Sequence, residues 1–381
     1  MGIYLDYNAS APIDPRVLDY MVDVYKNAYG NADSRTHTFG DAARSVVENA
    51  RKSVAELVGC RTDEVFFTSG ATESNNIALL GLHDYSNDKK KKHVVTTSIE
   101  HKAVLETAHF MEKNGYSVDF VDPDQDGVVS AEEIAGQVCP ETLLVSVMHV
   151  NNETGAVQPV EKIGELLSGK DVLFHVDVTQ SCGKLIEEIR NIKCDMLSMS
   201  AHKLAGPQGV GALILKRKKY KLPPIKAIMY GGQQEKGIRP GTVPVALIAG
   251  FGKACEIAQK ESQENRKKCN EIKGTLIRLL DESGLEYSVN GSVGNTLFNT
   301  INIRIKGVSS EALMIASKDY CGISNGSACT SNDYSPSYVL KAMGLPDDHI
   351  RESLRISWGN QDITIIEREF KKLLAIAQKM K

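Results

Sequence analysis

Up to about residue 250, the sequence alternates between segments rich in alanine, glutamate and lysine and short runs of valine and isoleucine. The first pattern is typical of surface helices and the second of β-strands. Helices and strands that alternate in this way predict an α/β fold, in which helices cover a parallel or mixed sheet. A long charged segment at 248–280 interrupts the alternation. It predicts a helix that crosses to a smaller domain, where the alternating run at 300–305 predicts a strand.

The composition narrows the class of protein. A chain of 381 residues, of which 42% are hydrophobic, suits about two structural domains with a sizeable core. No run approaches the roughly 20 apolar residues of a membrane span, and the N-terminal segment lacks the pattern of a signal peptide. Eight cysteines without a CxxC pair argue against a zinc site and suit a reducing cytoplasm. From the cysteine usage we expect a cytoplasmic protein. A net charge of −3 gives no general affinity for nucleic acid, so we expect no direct nucleic-acid binding.

A candidate site is predicted where two strand-like segments end in polar residues. Residues 174–178 predict a buried strand with Asp177 at its carboxyl-terminal end. Residues 195–200 predict another strand, which leads to Lys203. Pyridoxal 5′-phosphate (PLP) needs such a pair, because an acid keeps its pyridine nitrogen protonated and a lysine holds its aldehyde as a Schiff base. The same residues also fit an ordinary structure, in which Asp177 caps a helix and Lys203 is a surface charge.

Two further features fit a flat, phosphorylated cofactor. Residues 65–70 predict a strand that ends in a glycine turn, and residues 71–80 predict the helix that follows. The unpaired N–H groups at that helix N-terminus, with the hydroxyls of Ser69 and Thr72, would form a phosphate cradle. His101 follows another strand-like run and could stack on a flat ring. A purely structural turn and a partly buried histidine explain these two features equally well.

Eight longer segments, spread almost end to end along the chain, carry a more specific signal. They are YLDYNA (4–9), TSGATES (68–74), EHKAVL (100–105), MHVNNE (148–153), HVDVTQ (175–180), HK (202–203), SACTS (327–331) and PSYVL (336–340). In this order they resemble the cysteine desulfurases of the aminotransferase class V type, which take sulfur from L-cysteine. The resemblance implies a PLP-dependent transferase fold of type I. A large domain would hold a mixed, mostly parallel sheet, and a small domain would be α+β.

The resemblance implies a role for each residue around PLP. Lys203 matches the lysine that forms the Schiff base, and Asp177 matches the partner of the pyridine nitrogen. His101 matches the histidine that stacks on the ring and moves protons. Gln180 matches the donor to the phenolic oxygen of the cofactor. The implied phosphate contacts are Ala71, Thr72, Ser200, His202 and Thr242, the last of them supplied by the other subunit of a homodimer.

The substrate contacts are implied in the same way. Asn152 and Arg355 match the groups that hold the carboxylate of cysteine, and Asn152 also lies against the cofactor. An arginine suits this role because its fork bonds to both carboxylate oxygens. The chain departs from the family pattern at Pro240, where housekeeping members have serine. The proline fixes φ and removes an N–H donor close to Thr242.

Cys329 distinguishes this family from other PLP enzymes. Its segment, 322–333, is rich in small and polar residues, which predicts a mobile surface loop. Structural cysteines more often have apolar neighbours, as Cys139 and Cys255 do. The segment and the resemblance together predict Cys329 as the nucleophile that takes sulfur from cysteine as a persulfide and leaves L-alanine. We expect Cys321 to be inert.

The resemblance also predicts the organisation of the chain. We expect a large PLP-binding domain at 15–250 and a small domain built from 1–14 and 251–381, which carries the catalytic cysteine. The sulfur would pass to an acceptor protein for iron–sulfur assembly, tRNA thiolation or DNA phosphorothioation. Pro240, together with the short segment after the helix pattern at 363–380, leads us to expect a specialised pathway, DNA phosphorothioation first.

Two alternatives stay open from the sequence. One is another class V PLP enzyme, an aminotransferase or β-lyase that forms no persulfide. The other is a calcium-responsive interaction protein, because 122–133 satisfies the EF-hand loop pattern, with Glu133 at the twelfth position. An EF-hand needs a helix on each side, whereas 116–121 predicts a strand. We therefore expect a turn at 122–133 and no metal site.

Overall fold

The fold is described from a computed structural model of the chain, which covers residues 2–326 and 336–381. The β-strands are β1 (Ile3–Tyr4), β2 (Val65–Thr68), β3 (His93–Thr97), β4 (Ser117–Val121), β5 (Thr142–Met148), β6 (Leu173–Asp177), β7 (Met196–Ser200), β8 (Gly211–Leu215), β9 (Tyr287–Val289), β10 (Thr300–Ile305), β11 (Cys321–Gly322) and β12 (Ser353–Ser357).

The α-helices lie between these strands or follow them. They are α1 (Pro15–Asn27), α2 (Thr38–Val58), α3 (Ala71–Leu80), α4 (His83–Lys89), α5 (Lys102–Lys113), α6 (Ala131–Gly136), α7 (Val160–Leu166), α8 (Ile186–Asn191), α9 (Val245–Glu282), α10 (Ser310–Ser317), α11 (Tyr338–Ala342), α12 (Asp347–Arg351) and α13 (Ile363–Met380). Short 3-10 turns occur at Thr62–Glu64, Ala201–Leu204 and Gln234–Gly237.

Seven strands form the main sheet, in the order β2-β8-β7-β6-β5-β3-β4. Strands β4, β3, β5, β6 and β7 run parallel, and β8 is antiparallel to both of its neighbours. Every residue of β5 and of β7 is buried, because helices cover both faces of the sheet. The predicted α/β class, with a mixed, mostly parallel sheet, is confirmed.

A second, smaller core surrounds the antiparallel sheet β12-β10-β9 and the parallel pair β1-β11. Trp358, Phe370 and Leu276 are fully buried there. Helix α9 connects the two cores. Its N-terminal half contributes Phe251 to the core of the main sheet, and its C-terminal half contributes Leu276 to the smaller one. The helix predicted at 248–280 and the strand predicted at 300–305 are therefore present as α9 and β10.

The segment 122–133 follows β4, so a strand stands where an EF-hand would have its entering helix. The predicted turn covers 122–130 only, because residues 131–133 form the first turn of α6. The carboxylate oxygen Oδ1 of Asp124 accepts hydrogen bonds from the backbone N–H groups of Asp126 and Val128, both at 2.9 Å. These bonds are typical of an Asx turn, in which the aspartate side chain organises its own loop. The absence of calcium binding stays a prediction.

Among the described residues, no helix has the length and apolar character that a bilayer crossing requires.

Candidate active site

A cavity of about 410 Å³ lies at the carboxyl-terminal edge of the main sheet, where open α/β sheets usually bind ligands. The register of the sheet places Met148, Asp177 and Ser198 side by side on β5, β6 and β7. Ten of the residues predicted for the site line this cavity: Ala71, Thr72, His101, Asn152, Asp177, Gln180, Ser200, His202, Lys203 and Arg355. Thr242 does not line it and is exposed.

Asp177 is the last residue of β6 and is 6% exposed. Its Oδ2 accepts a hydrogen bond from Asn75 Nδ2 at 2.8 Å, and its Oδ1 accepts one from the backbone N–H of Thr179 at 2.9 Å. Two donors on different oxygens fix the plane of the carboxylate at the cavity wall. Asn75 was not predicted from the sequence. The only hint in the sequence was an amide residue close to the apolar run from Ile77 to Leu79 on the predicted helix. A polar side chain buried beside such a run needs a hydrogen-bond partner.

Lys203 lies on the 3-10 turn that directly follows β7. Its Nζ donates to the backbone carbonyl oxygens of Asn8 at 2.5 Å and Ala9 at 2.7 Å. The carbonyl of Asn8 also accepts from Gln180 Nε2 at 3.0 Å. The N-terminal segment therefore closes one side of the cavity and holds the lysine there, a contact between residues 195 positions apart.

The turn between β2 and α3 supplies the predicted phosphate cradle. Gly70 has φ of +153°, a conformation that residues with a Cβ rarely adopt. Helix α3 begins immediately afterwards, and the first N–H groups of any helix lack acceptors within the helix. Those of Ala71 and Thr72 are thus available to an anion at the cavity. Glu73 completes the turn by accepting from Arg239 Nε at 3.0 Å.

Two histidines at the cavity are neutral at physiological pH. Nδ1 of His101 accepts a hydrogen bond from the backbone N–H of Ala103 at 3.1 Å, so this nitrogen carries no proton. Burial lowers the pKa of His101, with Asp177 opposing the shift and Lys203 adding to it. Burial, followed by the positive charge of Lys203, lowers the pKa of His202 to about 4. A neutral imidazole can accept or donate a proton without first losing a charge.

Glu100, next to His101, is fully buried beneath the cavity floor. Its Oε1 accepts from Thr97 Oγ1 and from the backbone N–H of Met148, both at 2.8 Å. Burial raises the pKa of this carboxyl to about 8, and the nearby charge of Asp177 also raises it. Glu100 was not selected from the sequence, because a charged residue next to the start of a helix is usually exposed.

Arg355 lines the cavity from β12 of the smaller sheet and is 3% exposed. Nη2 donates to Asp6 Oδ1 at 2.6 Å, and Nη1 donates to the backbone carbonyl of Asn152 at 3.0 Å. Its Nε is buried and has no hydrogen-bond partner among the described residues. A guanidinium that is fixed on one side and unsatisfied on the other suits a ligand carboxylate.

Further buried polar atoms without partners lie around the same cavity. Within the described residues, they include Oδ1 of Asn152, Oε1 of Gln180 and Oγ1 of Thr179. Such atoms are rare in native proteins unless a ligand or water satisfies them. Together with the acid, the lysine and the helix N-terminus, they fit PLP, which carries a ring nitrogen, a phenolic oxygen, an aldehyde and a phosphate.

Cys329 lies outside the described residues, so its predicted role stays a prediction. Of the seven cysteines that the structure describes, none lines the cavity. Cys321 is 2% exposed, and burial raises the pKa of its thiol to about 12. A thiol with so high a pKa is a poor nucleophile.

Comparisons with known proteins agree with this geometry. Residues 3–365 match the family model described as "Aminotransferase class-V". The chain is 43% identical over 363 residues to the cysteine desulfurase IscS of Proteus mirabilis (strain HI4320). The aligned region covers 94% of this chain and 88% of the relative. Among solved structures, a NifS-like protein has a TM-score of 0.91 and 34% identity, with complete coverage of both chains. SspA, solved in complex with cysteine, has a TM-score of 0.79 and 34% identity, with 94% and 99% coverage.

Proposed function

Because the chain belongs to the aminotransferase class-V family, we infer that it is a PLP-dependent cysteine desulfurase with a transferase fold of type I. Such an enzyme converts L-cysteine to L-alanine and passes the sulfur to an acceptor. One observation carries the assignment of the site: Asp177 ends β6, Lys203 follows the neighbouring strand β7, and Arg355 lines the same cavity. The structurally similar SspA was solved in complex with cysteine.

PLP, when bound, supplies an electron sink that weakens the bond between the β-carbon and the sulfur of the substrate. We propose that Lys203 holds the cofactor covalently and that Asp177 pairs with its ring nitrogen. Gln180 would donate to its phenolic oxygen. The phosphate would lie against the first turn of α3, with Ser200 and His202 at its side.

The chain's own residues would bind and orient the substrate. The free edge of the Arg355 guanidinium would donate to the cysteine carboxylate through Nε, which has no hydrogen-bond partner among the described residues. The side-chain amide of Asn152, which lines the same cavity, would donate to the carboxylate through Nδ2. Asp6 keeps the guanidinium in place through its 2.6 Å ion pair. Lys203 Nζ and the neutral ring of His101 are the groups that would move protons near the α-carbon.

Sulfur transfer would be completed by Cys329. Its thiolate attacks the substrate sulfur, a sulfur–sulfur bond forms and the carbon–sulfur bond breaks. The β-carbon takes up a proton, alanine leaves and Cys329 keeps the sulfur as a persulfide. No external oxidant or reductant is required, because the electron pair of the broken carbon–sulfur bond stays with the β-carbon, which is reduced while the sulfur is oxidised to the sulfane level.

We also propose a homodimer, in which Thr242 reaches the phosphate site of the other subunit. Its exposure and its position outside the cavity of its own subunit support this arrangement. The division into 15–250 and 1–14 with 251–381, the cytoplasmic location and the acceptor protein are further proposals. Among acceptor pathways we keep iron–sulfur assembly, tRNA thiolation and DNA phosphorothioation, with the last as our expectation.

The decisive experiment locates the transferred sulfur. Cys329→Ser should keep the visible absorbance of bound PLP, since it leaves Lys203, Asp177 and Arg355 intact. It should lower sulfide release at least about 1,000-fold, because a serine hydroxyl neither ionises readily nor holds a persulfide. Alkylation before and after addition of cysteine, followed by mass mapping, identifies the thiol that gains a sulfur atom.

Cys321→Ser is the matched control and should retain nearly full activity, because this thiol is buried outside the cavity. Extra sulfur on another cysteine, or normal turnover by Cys329→Ser, would refute the role of Cys329. Turnover without any persulfide would instead indicate a class V lyase.

A further inference from the structure

Glu153 is a buried carboxyl that the proposed reaction does not use. It is 1% exposed and forms none of the ion pairs found among the described residues. Burial raises its pKa, while the hydroxyl of Ser337 and the charge of Arg355 act in the opposite direction. Burying a carboxyl without a charged partner is costly, and such a group in a native protein calls for an explanation.

The contacts of Glu153 join two distant parts of the chain. Its Oε2 accepts a hydrogen bond from Ser337 Oγ at 2.5 Å. The same oxygen lies 2.4 Å from the position that a Cβ on Gly326 would occupy, so the carboxyl packs directly on that glycine. Gly326 and Ser337 stand on either side of 327–335, the segment that contains Cys329. One carboxyl group thus contacts both flanks of the segment that carries the predicted nucleophile.

The same contacts connect these flanks to the substrate-binding residues. Ser324, two residues before Gly326, forms a pair of backbone hydrogen bonds with Arg355, at 2.6 and 3.2 Å. Asn152, directly before Glu153, accepts from Arg355 Nη1 at 3.0 Å through its backbone carbonyl. Arg355 and Glu153 therefore both contact the residues just before 327–335, Arg355 through Ser324 and Glu153 through Gly326. Glu153 also contacts Ser337, which follows that segment.

We propose that Glu153 is a positioning residue for sulfur transfer, which fixes Gly326 and Ser337 relative to Arg355. This inference rests on the proposed function, because it assigns to Glu153 the alignment of the segment that bears Cys329. Its effect falls on the attack by the thiolate and not on the binding of cofactor or cysteine. A misplacement of reacting groups by about 1 Å can cost about 100-fold in rate, so a positioning contact of this kind is measurable.

The first test compares Glu153→Ala with Glu153→Gln in the full-length, PLP-loaded enzyme. The alanine variant should lower kcat and the single-turnover rate of persulfide formation about 10- to 100-fold. Its KM for cysteine and its cofactor absorbance should stay within about two-fold of the wild-type values. The glutamine variant keeps the length and an acceptor oxygen for Ser337, so it should recover most of the loss.

Ser337 tests the same contact from the other side. Ser337→Ala should reproduce the kcat defect, and adding it to Glu153→Ala should cause little further loss, because the two single changes remove one hydrogen bond. Ser337 also caps α11 by accepting from the backbone N–H of Leu340 at 3.1 Å. Ser130→Ala is the matched control. Ser130 caps α6, a helix of six residues against five in α11, by accepting from the backbone N–H of Glu133 at 3.2 Å, and it is not hydrogen-bonded to Glu153.

Gly326 provides a test that does not alter the carboxyl. Gly326 has φ of +85°, and Gly307 has φ of +80° with open space where a Cβ would be. Alanine at either position meets similar backbone strain, but only Gly326→Ala forces a methyl group onto Glu153. We expect kcat to fall markedly for Gly326→Ala and to change little for Gly307→Ala.

Several outcomes would overturn the inference: a normal kcat in Glu153→Ala, an equal loss of cofactor absorbance and kcat, or independent effects of Glu153 and Ser337. If Glu153→Ala does not fold, Ser337→Ala and Gly326→Ala still decide the question. Failure of the proposed function has a different signature, because the wild-type enzyme would then form no persulfide on Cys329.

Discussion

The two halves of the cavity are assembled in different ways. In the cofactor half, Asp177 ends β6 and Lys203 follows the adjacent parallel strand β7, so the topology of the sheet brings them together. In the substrate half, Arg355 comes from the smaller sheet and is held by Asp6 and Asn152, which lie 349 and 203 positions away in the sequence. The first half depends on one sheet, and the second depends on how three remote segments meet.

Asn8 joins these halves. Its backbone carbonyl accepts from Lys203 and Gln180, and its side-chain Nδ2 donates to the carbonyl of Asn152 at 3.1 Å. Loss of a residue in the cofactor half should therefore abolish the chemistry. Loss of a residue in the substrate half should chiefly weaken the binding of cysteine, because the main sheet does not need that half in order to fold.

The largest effect is expected at Lys203. Lys203→Ala should lower activity at least about 1,000-fold, because it removes both the cofactor link and a proton-transferring amine. The covalent link to PLP that borohydride makes permanent should also disappear from peptide maps. Lys203→Arg keeps a positive charge for the carbonyls of Asn8 and Ala9 but cannot form the link, so it should be equally inactive. A permanent link on another lysine would show that the assignment is wrong.

Substitution of Arg355 should have a smaller effect, which is confined to the binding of substrate. Arg355→Lys keeps the charge but loses the fork, so KM for cysteine should rise about 100-fold while the visible absorbance of PLP is retained. Arg355→Gln also leaves the partly buried Asp6 without its cation, and thermal unfolding should occur at a lower temperature. Adding Asp6→Asn should restore stability without restoring KM. Loss of cofactor absorbance in these variants would show that the halves are not separable.

The smallest effect is expected from acidification, and it falls on the cofactor half. His149 directly follows β5, and His175 lies on β6. Burial lowers the pKa of each histidine from 6.5 to about 4. Between these values the unfolded chain binds protons that the folded protein does not. The free energy of unfolding should therefore fall as pH drops from about 6.5 to 4, by about 3 kcal/mol at most per histidine.

Urea unfolding across this pH range measures the effect. His149→Gln removes one titrating group and should make the dependence shallower, whereas a slope unchanged from that of the wild type would contradict the assignment.

Much of the cofactor half could be predicted from the sequence because its signals are local. The predicted strands at 174–178 and 195–200 are present as β6 and β7, and the turn at Gly70 precedes α3 as expected. The substrate half was less accessible. Asn152 and Arg355 were named through a resemblance to a family, and Asp6 was recognised only as part of a matching segment. A pairing between residues 349 positions apart leaves no periodic pattern in the sequence.

The sequence by itself determined the α/β class, the order of strands and helices, and the polar residues that end β6 and β7. Periodicity and turn residues encode these features within short windows, where each residue acts on its neighbours. Only the tertiary structure decided that Asn75 donates to Asp177, that Asn8 holds Lys203, and that Glu153 contacts Gly326 and Ser337. Those choices depend on long-range packing, in which buried polar groups must find partners wherever the folded chain brings them.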